Sequence, residues 1–247
     1  MSDHLARAYA FLERADMAGE RTENSPVGDA VFDDRVPRRL DSNYLHVKRE
    51  ADGETVQAEA ERLQRRMVHV SDSELGERLA PHFKQQGWLM RRHVVMAQVH
   101  EPERDADLSV VTEVEEPMLR AARYQVVTGE PWAKPEVMEQ LFAAKALIGQ
   151  RVTARHFAVL LYGKVVSYTD LYQDGADAQI EDVGTLQEHR KRGYASAVIL
   201  TAISEARKAG AEFVFLVADL EDWPKELYRR LGFDELGYYV KFIAPHS

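Results

Sequence analysis

The chain has 247 residues, 45% of them hydrophobic and 30% charged, with 32 Lys and Arg against 41 Asp and Glu and a net charge of −9. That length buries one sizeable core or two small ones, and the acidic balance argues against nonspecific nucleic-acid binding while mildly favouring cationic ligands. Cysteine is absent, and neither H-E-x-x-H nor G-x-S-x-G occurs, so disulfides, a thiolate nucleophile and the commonest zinc and serine-hydrolase cues drop out, and no metal site is expected.

From the N-terminus, Met1 to Arg14 interrupts its apolar residues with charges, unlike a signal peptide, and no apolar run reaches membrane-span length. A cytoplasmic location is the expectation. Tyr44-Leu45-His46-Val47 reads as a strand, and Val56, Ala60, Leu63 and Met67 mark one helical face. Val68-His69-Val70 is a short strand, Ser71-Asp72-Ser73-Glu74 offers caps to a helix reaching Gln86, Gly87 stops it, and Trp88 to Val99 is again a strand. The polar stretch from Glu101 to Asp107 reads as a boundary, dividing the chain into domains 1–104 and 105–247.

Beyond it come a strand-like run from Leu108 to Val114, helical segments at Glu116 to Gln125 and Pro135 to Ile148, and strands at His156 to Leu161 and Lys164 to Leu171 around a Tyr162-Gly163-Lys164 turn. A strand over Gln179 to Leu186 then leads into Arg190-Lys191-Arg192-Gly193-Tyr194-Ala195. The following helix carries Ala195, Val198, Ile199, Ala202, Ile203, Ala206 and Ala209 on one face and stops at Gly210. Its first N–H groups lack intrahelical acceptors and sit at the positive end of the helix dipole, so a turn there aims donors at an anion. Gly193 admits close approach, and Arg190, Lys191 and Arg192 add charge. Alone, these six residues fit a basic surface turn equally well. Ala211 to Ala218 suits a strand buried on both faces, and Asp222 as cap, Pro224 in the first turn and Gly232 as stop frame a last short helix.

Taken together, Val183 to Thr185, the R-x-x-G-x-A turn, the buried strand and the segment Leu227-Tyr228-Arg229-Arg230-Leu231-Gly232-Phe233 resemble, in order and spacing, the GNAT superfamily of N-acetyltransferases over Leu108 to Ala244. The resemblance implies an α/β class fold, an α+β mixed sheet whose fourth strand splays from the fifth, with acetyl-CoA as co-substrate in the gap. It implies that Val183, Gly184 and Thr185 pair through their main chain with the pantetheine arm. The turn through Arg190, Lys191, Arg192, Gly193, Tyr194, Ala195 and Ser196 would hold the pyrophosphate. One departure is that Asp219-Leu220-Glu221-Asp222 replaces an asparagine common after the fifth strand.

The expected activity is direct transfer of acetyl to a primary amine. A lysine-like amine must first lose a proton at a cost of roughly 4 to 5 kcal/mol at neutral pH. The resemblance makes Glu181 the preferred base and Asp182 the second, with their strand spacing placing them on opposite faces. It makes Tyr228 the general acid toward the departing thiolate. A phenol near pKa 10 giving its proton to a thiolate near 8.5 is uphill by about 2 kcal/mol, so a strong hydrogen bond serves. The plainer alternatives are a solvent-facing carboxylate at Glu181 or Asp182 and a Tyr228 ring packed on Phe233. The acidic residues Asp170, Asp174, Asp177, Glu181 and Asp182 either attract a cationic acceptor or form a solvated loop, the latter being the commoner case. Tyr124 and Trp132 are acceptor contacts or core plugs. A small-molecule amine is the expected partner, with nucleic acid and membrane excluded; a homodimer is compatible with the sequence and not specified by it. The rival from another class is a non-catalytic acyl-CoA sensor or scaffold.

The first hundred residues repeat the strand, helix, strand, helix, strand order of the C-terminal half. Laying Phe83-Lys84-Gln85-Gln86-Gly87-Trp88 over Tyr228 to Phe233 pairs Gly with Gly and aromatic with aromatic, but puts Phe83 where the phenol stands. Arg49 to Glu54, with three acidic residues, replaces the phosphate turn. Residues 1–104 are therefore read as a degenerate GNAT-like, non-catalytic domain and 105–247 as the catalytic domain, against the alternative of an unrelated α/β domain.

Overall fold

A computed structural model describes residues 3–103, 105–130, 132–221 and 224–245, with Pro224 in backbone only. Asp222, expected to cap the last helix, lies outside the described residues. The chain forms two compact units: Met1–Val95 with Ala218–Asp222 and Leu236–Ser247, and Met96–Val217 with Trp223–Glu235. Each unit is thus assembled from more than one stretch of the sequence. Both are mixed α/β, as the sequence predicts. Among the described residues no helix is long and apolar enough to cross a membrane.

In the first unit, α1 (Asp3–Arg14) buries Leu5, Ala8, Tyr9, Phe11 and Leu12. Leu5, Ala8, Tyr9 and Leu12 recur at helical spacing, with most of the charged residues on the opposite face, a period the sequence reading did not take up. A hairpin of β1 (Arg21–Ser25) and β2 (Gly28–Phe32) follows, then β3 (Leu45–Val47), α2 (Gly53–Arg62), β4 (Met67–Val70), α3 (Ser73–Gln85) and β5 (Leu89–Gln98). Met67, expected on the α2 face, instead opens β4, because α2 ends at Arg62 and Gln64 takes a left-handed φ of 55° that turns the chain. Strands β3 and β4 run parallel with His46 opposite His69, and β11 (Phe233–Ile243) pairs antiparallel with β4 through Val240 and Val70. The core gathers Val56, Ala60, Leu75, Leu79, Phe83, Val240 and Phe242, and Phe83 stacks on Phe242 with centroids 4.3 Å apart.

In the second unit, Leu108–Val110 is a 3-10 turn held by Asp107, which accepts from the Ser109 N–H, so the expected strand shortens to β6 (Val111–Val114). Then come α4 (Arg120–Val126), α5 (Pro135–Gly149), β7 (Thr153–Leu161), β8 (Lys164–Asp174), β9 (Asp177–Thr185), α6 (Tyr194–Lys208), β10 (Phe213–Asp219) and α7 (Pro224–Arg230). The strand order is β10-β9-β8-β7-β6. Among the described residues of these five strands, β9 and β10 pair parallel, as the α6 crossover between them requires, and the other pairs are antiparallel. Helix α6 buries Ala197, Val198, Ile199, Ala202, Ile203 and Ala206, the apolar period legible in the sequence.

Gly232 joins α7 to β11 at φ +89°, and a β-carbon there would lie 2.0 Å from the His100 carbonyl oxygen. Gly210 has φ +90° with open space around it. Gly210→Ala should therefore cost about 1 kcal/mol from backbone strain alone, and Gly232→Ala at least about 2 kcal/mol more, measured by urea unfolding.

Candidate active site

Strand β9 pairs with β10 only from Asp177 opposite Phe213 to Ile180 opposite Leu216. Past that point β9 continues to Thr185 bonded to β8 alone, so its other edge is left open over Glu181–Thr185. This is the splay that the sequence reading expects, and Val183, Gly184 and Thr185 lie on the open segment. Gly184 has a second reason to lack a side chain: a β-carbon would come 2.3 to 2.6 Å from the phenol of Tyr168, its register partner on β8.

The opening begins at a bulge. Asp170 lies opposite Glu181 and Tyr168 opposite Gly184, so two β9 residues, Asp182 and Val183, face the single Thr169. Asp182 takes φ 52°, a left-handed conformation worth about 1 to 2 kcal/mol of strain. The bulge cancels the alternation expected of Glu181 and Asp182. Glu181 shares its face with Asp170 through their pairing, and Asp182 reaches the same two cations that Asp170 does.

Those cations belong to a buried network. The Asp170 carboxylate is fully buried and accepts from Nη2 of Arg123 at 2.6 and 2.8 Å, from Nζ of Lys145 at 2.7 Å and from the Tyr172 hydroxyl at 3.1 Å, with His156 Nδ1 at 2.6 Å. Asp182 accepts from Arg123 Nε at 2.7 Å and pairs with Lys145 at 2.9 Å, while Glu116 takes Nη1 of Arg123 at 2.8 Å. Burial works to raise the Asp170 carboxyl, but Lys145, the His156 hydrogen bond and Arg123 outweigh it and hold the group well below the ordinary carboxylate range. Burial likewise works to lower Lys145, and Asp170 and Asp182 outweigh it and hold the ammonium well above its usual value.

Sequence reasoning missed this network, grouping Asp170 with a solvated acidic loop. The correction is physical: Asp170 sits in β8, buried from Val165 to Tyr172, and of the five acidic residues in that group only Asp174, at the hairpin end, is exposed. The available signal was a lone aspartate between Tyr168 and Tyr172 at strand spacing. Glu181 is half-buried and accepts from the Gln179 side-chain amide at 3.0 Å.

At the start of α6, Lys191 and Gly193 take φ of 62° and 81°, and among the described residues no side chain caps the helix. Alternating left-handed residues before uncapped N–H groups form an anion-binding concavity. A cavity of about 600 Å³ adjoins it, lined by Lys191, Arg192, Gly193, Tyr194 and Ser196, and by Arg230 of α7. A β-carbon on Gly193 would meet open space, so its backbone angle and the room for a ligand set the requirement there. Arg190, though exposed, donates from Nε to the Thr185 carbonyl at 3.2 Å, and Arg192 donates to the Glu188 carbonyl. Ala195 lies in the first turn of α6. Tyr228 is buried, with its ring edge-on to Phe233 at 6.2 Å. Tyr124 packs against Phe142 and donates to Glu139, while Trp132 is exposed.

Residues 120–233 match the acetyltransferase (GNAT) family. The fold is similar to that of a functionally unknown conserved protein from Staphylococcus epidermidis ATCC 12228, at 14% identity and a TM-score of 0.69, covering 94% of this chain and 96% of that one. It is also similar to a GCN5-related N-acetyltransferase from Kribbella flavida, at 16% identity and a TM-score of 0.66, covering 100% and 97%. A tandem GNAT protein from the clavulanic acid biosynthesis pathway matches at 12% identity and a TM-score of 0.56, covering 93% and 86%. No curated protein matches the sequence.

Asp170→Asn leaves two buried cations short of a counter-charge and should lower unfolding free energy by about 3 to 5 kcal/mol. Because the folded carboxyl titrates below its unfolded value, the contribution is complete above about pH 4 and is lost as pH falls. Chemical unfolding from pH 7 to pH 3 should thus show wild type losing stability more steeply than the variant.

Proposed function

Since residues 120–233 of this chain are a GNAT acyltransferase domain, we propose that the second unit is an acetyl-CoA-dependent N-acetyltransferase acting on a primary amine. The observation that carries this reading is the pairing of an open β9 edge with an uncapped, doubly left-handed turn at the start of α6. Acetyl-CoA supplies the acetyl group already activated as a thioester. Its extended, amide-bearing arm suits the open edge running through Val183, Gly184 and Thr185, although the Gly184 carbonyl accepts from Ser167 of β8 and the Thr185 carbonyl from Arg190. Its diphosphate suits the N–H groups from Gly193 to Ser196, supported by Lys191 and Arg192.

Glu181 takes the amine's proton in this reading. Asp182, the other candidate, is already ion-paired through Oδ2 with both Arg123 and Lys145, so its charge is committed to holding the bulge. Tyr228 hydrogen-bonds the departing sulfur; burial of its ring against Phe233 fixes its direction and is compatible with that role. The acidic face at Glu181 favours a cationic acceptor before its deprotonation. Lacking cysteine, the chain has no thiol to carry the acyl group, which favours transfer straight to the amine.

Calorimetry with acetyl-CoA should show binding that Gly193→Val weakens at least about tenfold, because a β-branched residue resists the left-handed angle and fills the approach to the N–H groups. Tyr228→Phe should lower turnover by about 10²-fold in a free-thiol assay over a panel of amines while leaving acetyl-CoA affinity nearly unchanged. Unchanged turnover would remove the acid role from Tyr228. Glu181→Gln should depress kcat most near neutral pH and recover in part at high pH, where the amine is already a free base.

A further inference from the structure

A second cavity, of about 950 Å³, lies wholly within the first unit. Its size falls at the upper end of the range for small-molecule sites. It opens past the carboxyl ends of the parallel strands β3 and β4, where the loops diverge and ligands settle in α/β sheets. Helix α1 lies along it with Leu5, Ala6 and Tyr9, and Tyr238 of β11 completes the wall.

The cavity's polar floor is specific. His46 and His69 are register partners, both buried, with ring centroids 4.7 Å apart, and Ser71 stands two residues beyond His69 on the same face. The Ser71 oxygen is 2.9 Å from Nε2 of His46 and 3.0 Å from Nε2 of His69. One hydroxyl proton serves one ring, so Ser71 donates to one imidazole and accepts from the other. Burial and then Lys48 push His46 down to about 3, and burial and then His46 push His69 well below its ordinary value, so both rings are neutral. Nearby, the Tyr9 hydroxyl and Nδ1 of His69 are buried with no hydrogen-bond partner among the described residues. Native proteins leave few such atoms unsatisfied, and Tyr9 lines the cavity.

The rim is charged and most of that charge is matched, Glu74 being without an ion pair among the described residues. Lys48 pairs with Glu13 at 3.4 Å and with Asp29 at 3.2 Å, Glu50 pairs with Arg78 at 2.6 Å, and Arg49 donates to the Ser25 carbonyl at 2.5 Å. Two helix N-termini in this unit are closed to phosphate by their own aspartates: Asp52 accepts from the Thr55 N–H, and Asp72 from those of Glu74 and Leu75. A charged ligand would have to dismantle these pairs, whereas a neutral one would not.

We propose that the first unit is a binding module for an uncharged small molecule, with an apolar body against α1 and a hydroxyl or amide group hydrogen-bonded at Ser71 and Tyr9. This inference stands apart from the transferase reading of the second unit.

Saturation-transfer NMR on the full chain tests it with acetanilide and benzyl alcohol as neutral probes, and benzoate and benzylammonium as charged counterparts. The neutral probes should bind, Ala6→Trp should abolish their signal by filling the cavity, and excess CoA should leave it intact. Tyr9→Phe, which keeps the ring and removes only the hydroxyl, should weaken acetanilide about fivefold, as loss of one hydrogen bond does. It carries the test if Ala6→Trp fails to fold. No signal from the neutral probes, equal binding of the charged ones, survival in Ala6→Trp, unchanged affinity in Tyr9→Phe or displacement by CoA would each overturn the proposal.

Discussion

The carboxylate of Asp170 is the point on which the second unit turns. It has no access to solvent, and an unpaired charge so placed would be intolerable, so the fold surrounds it with Arg123 from α4, Lys145 from α5, His156 from β7 and Tyr172 from its own strand. Two of these partners also grip Asp182, at the left-handed corner of β9. The buried charge therefore ties two helices and three strands together where β9 leaves β10. Hydrophobic residues of similar volume would pack as stably, but they would not fix the bulge or orient the strand edge beyond it.

Two helix N-termini in the chain carry opposite chemistry. In the second unit, α6 starts from Gly193 in a left-handed conformation, and among the described residues no side chain caps its first N–H groups. In the first unit, α2 occupies the matching place between two parallel strands and is capped by Asp52. A carboxylate at that position satisfies the same donors from within, and a phosphate has nothing left to bind. Similarly, Phe83 packs edge-on to Trp88 across Gly87 at φ +75°, as Tyr228 packs edge-on to Phe233 across Gly232 at φ +89°. The same ring packing occurs in both units, with a phenol only in the second.

The buried polar groups of the first unit are of a different kind. Its imidazoles are neutral and share one serine hydroxyl, while its charges pair with one another at the rim. Both clefts lie at the carboxyl ends of parallel strands, and the side chains there give one a helix start uncapped among the described residues and the other a pair of neutral imidazoles.

What the sequence determined by itself was local and periodic. The apolar face of α6, the buried run from Phe213 to Ala218, the glycine stops at Gly210 and Gly232 and the cap at Asp72 follow from propensities and spacings that act within a few residues, so they were legible without coordinates. The helix α1 carries the same kind of period in Leu5, Ala8, Tyr9 and Leu12, whereas the β1–β2 hairpin, which exposes most of β1, gives no comparable signal. Only the tertiary structure decided that Asp170 is a buried ion-pair centre and that a bulge at Asp182 brings it and Glu181 to one face. It also decided that His46, His69 and Ser71 meet. Each of these depends on strand register or on partners far apart in the chain: Arg123 and Asp170 are 47 residues apart, and His46 and Ser71 are 25 apart. No spacing rule reaches that far, because the energy that selects such partners appears only once the backbone has been brought together.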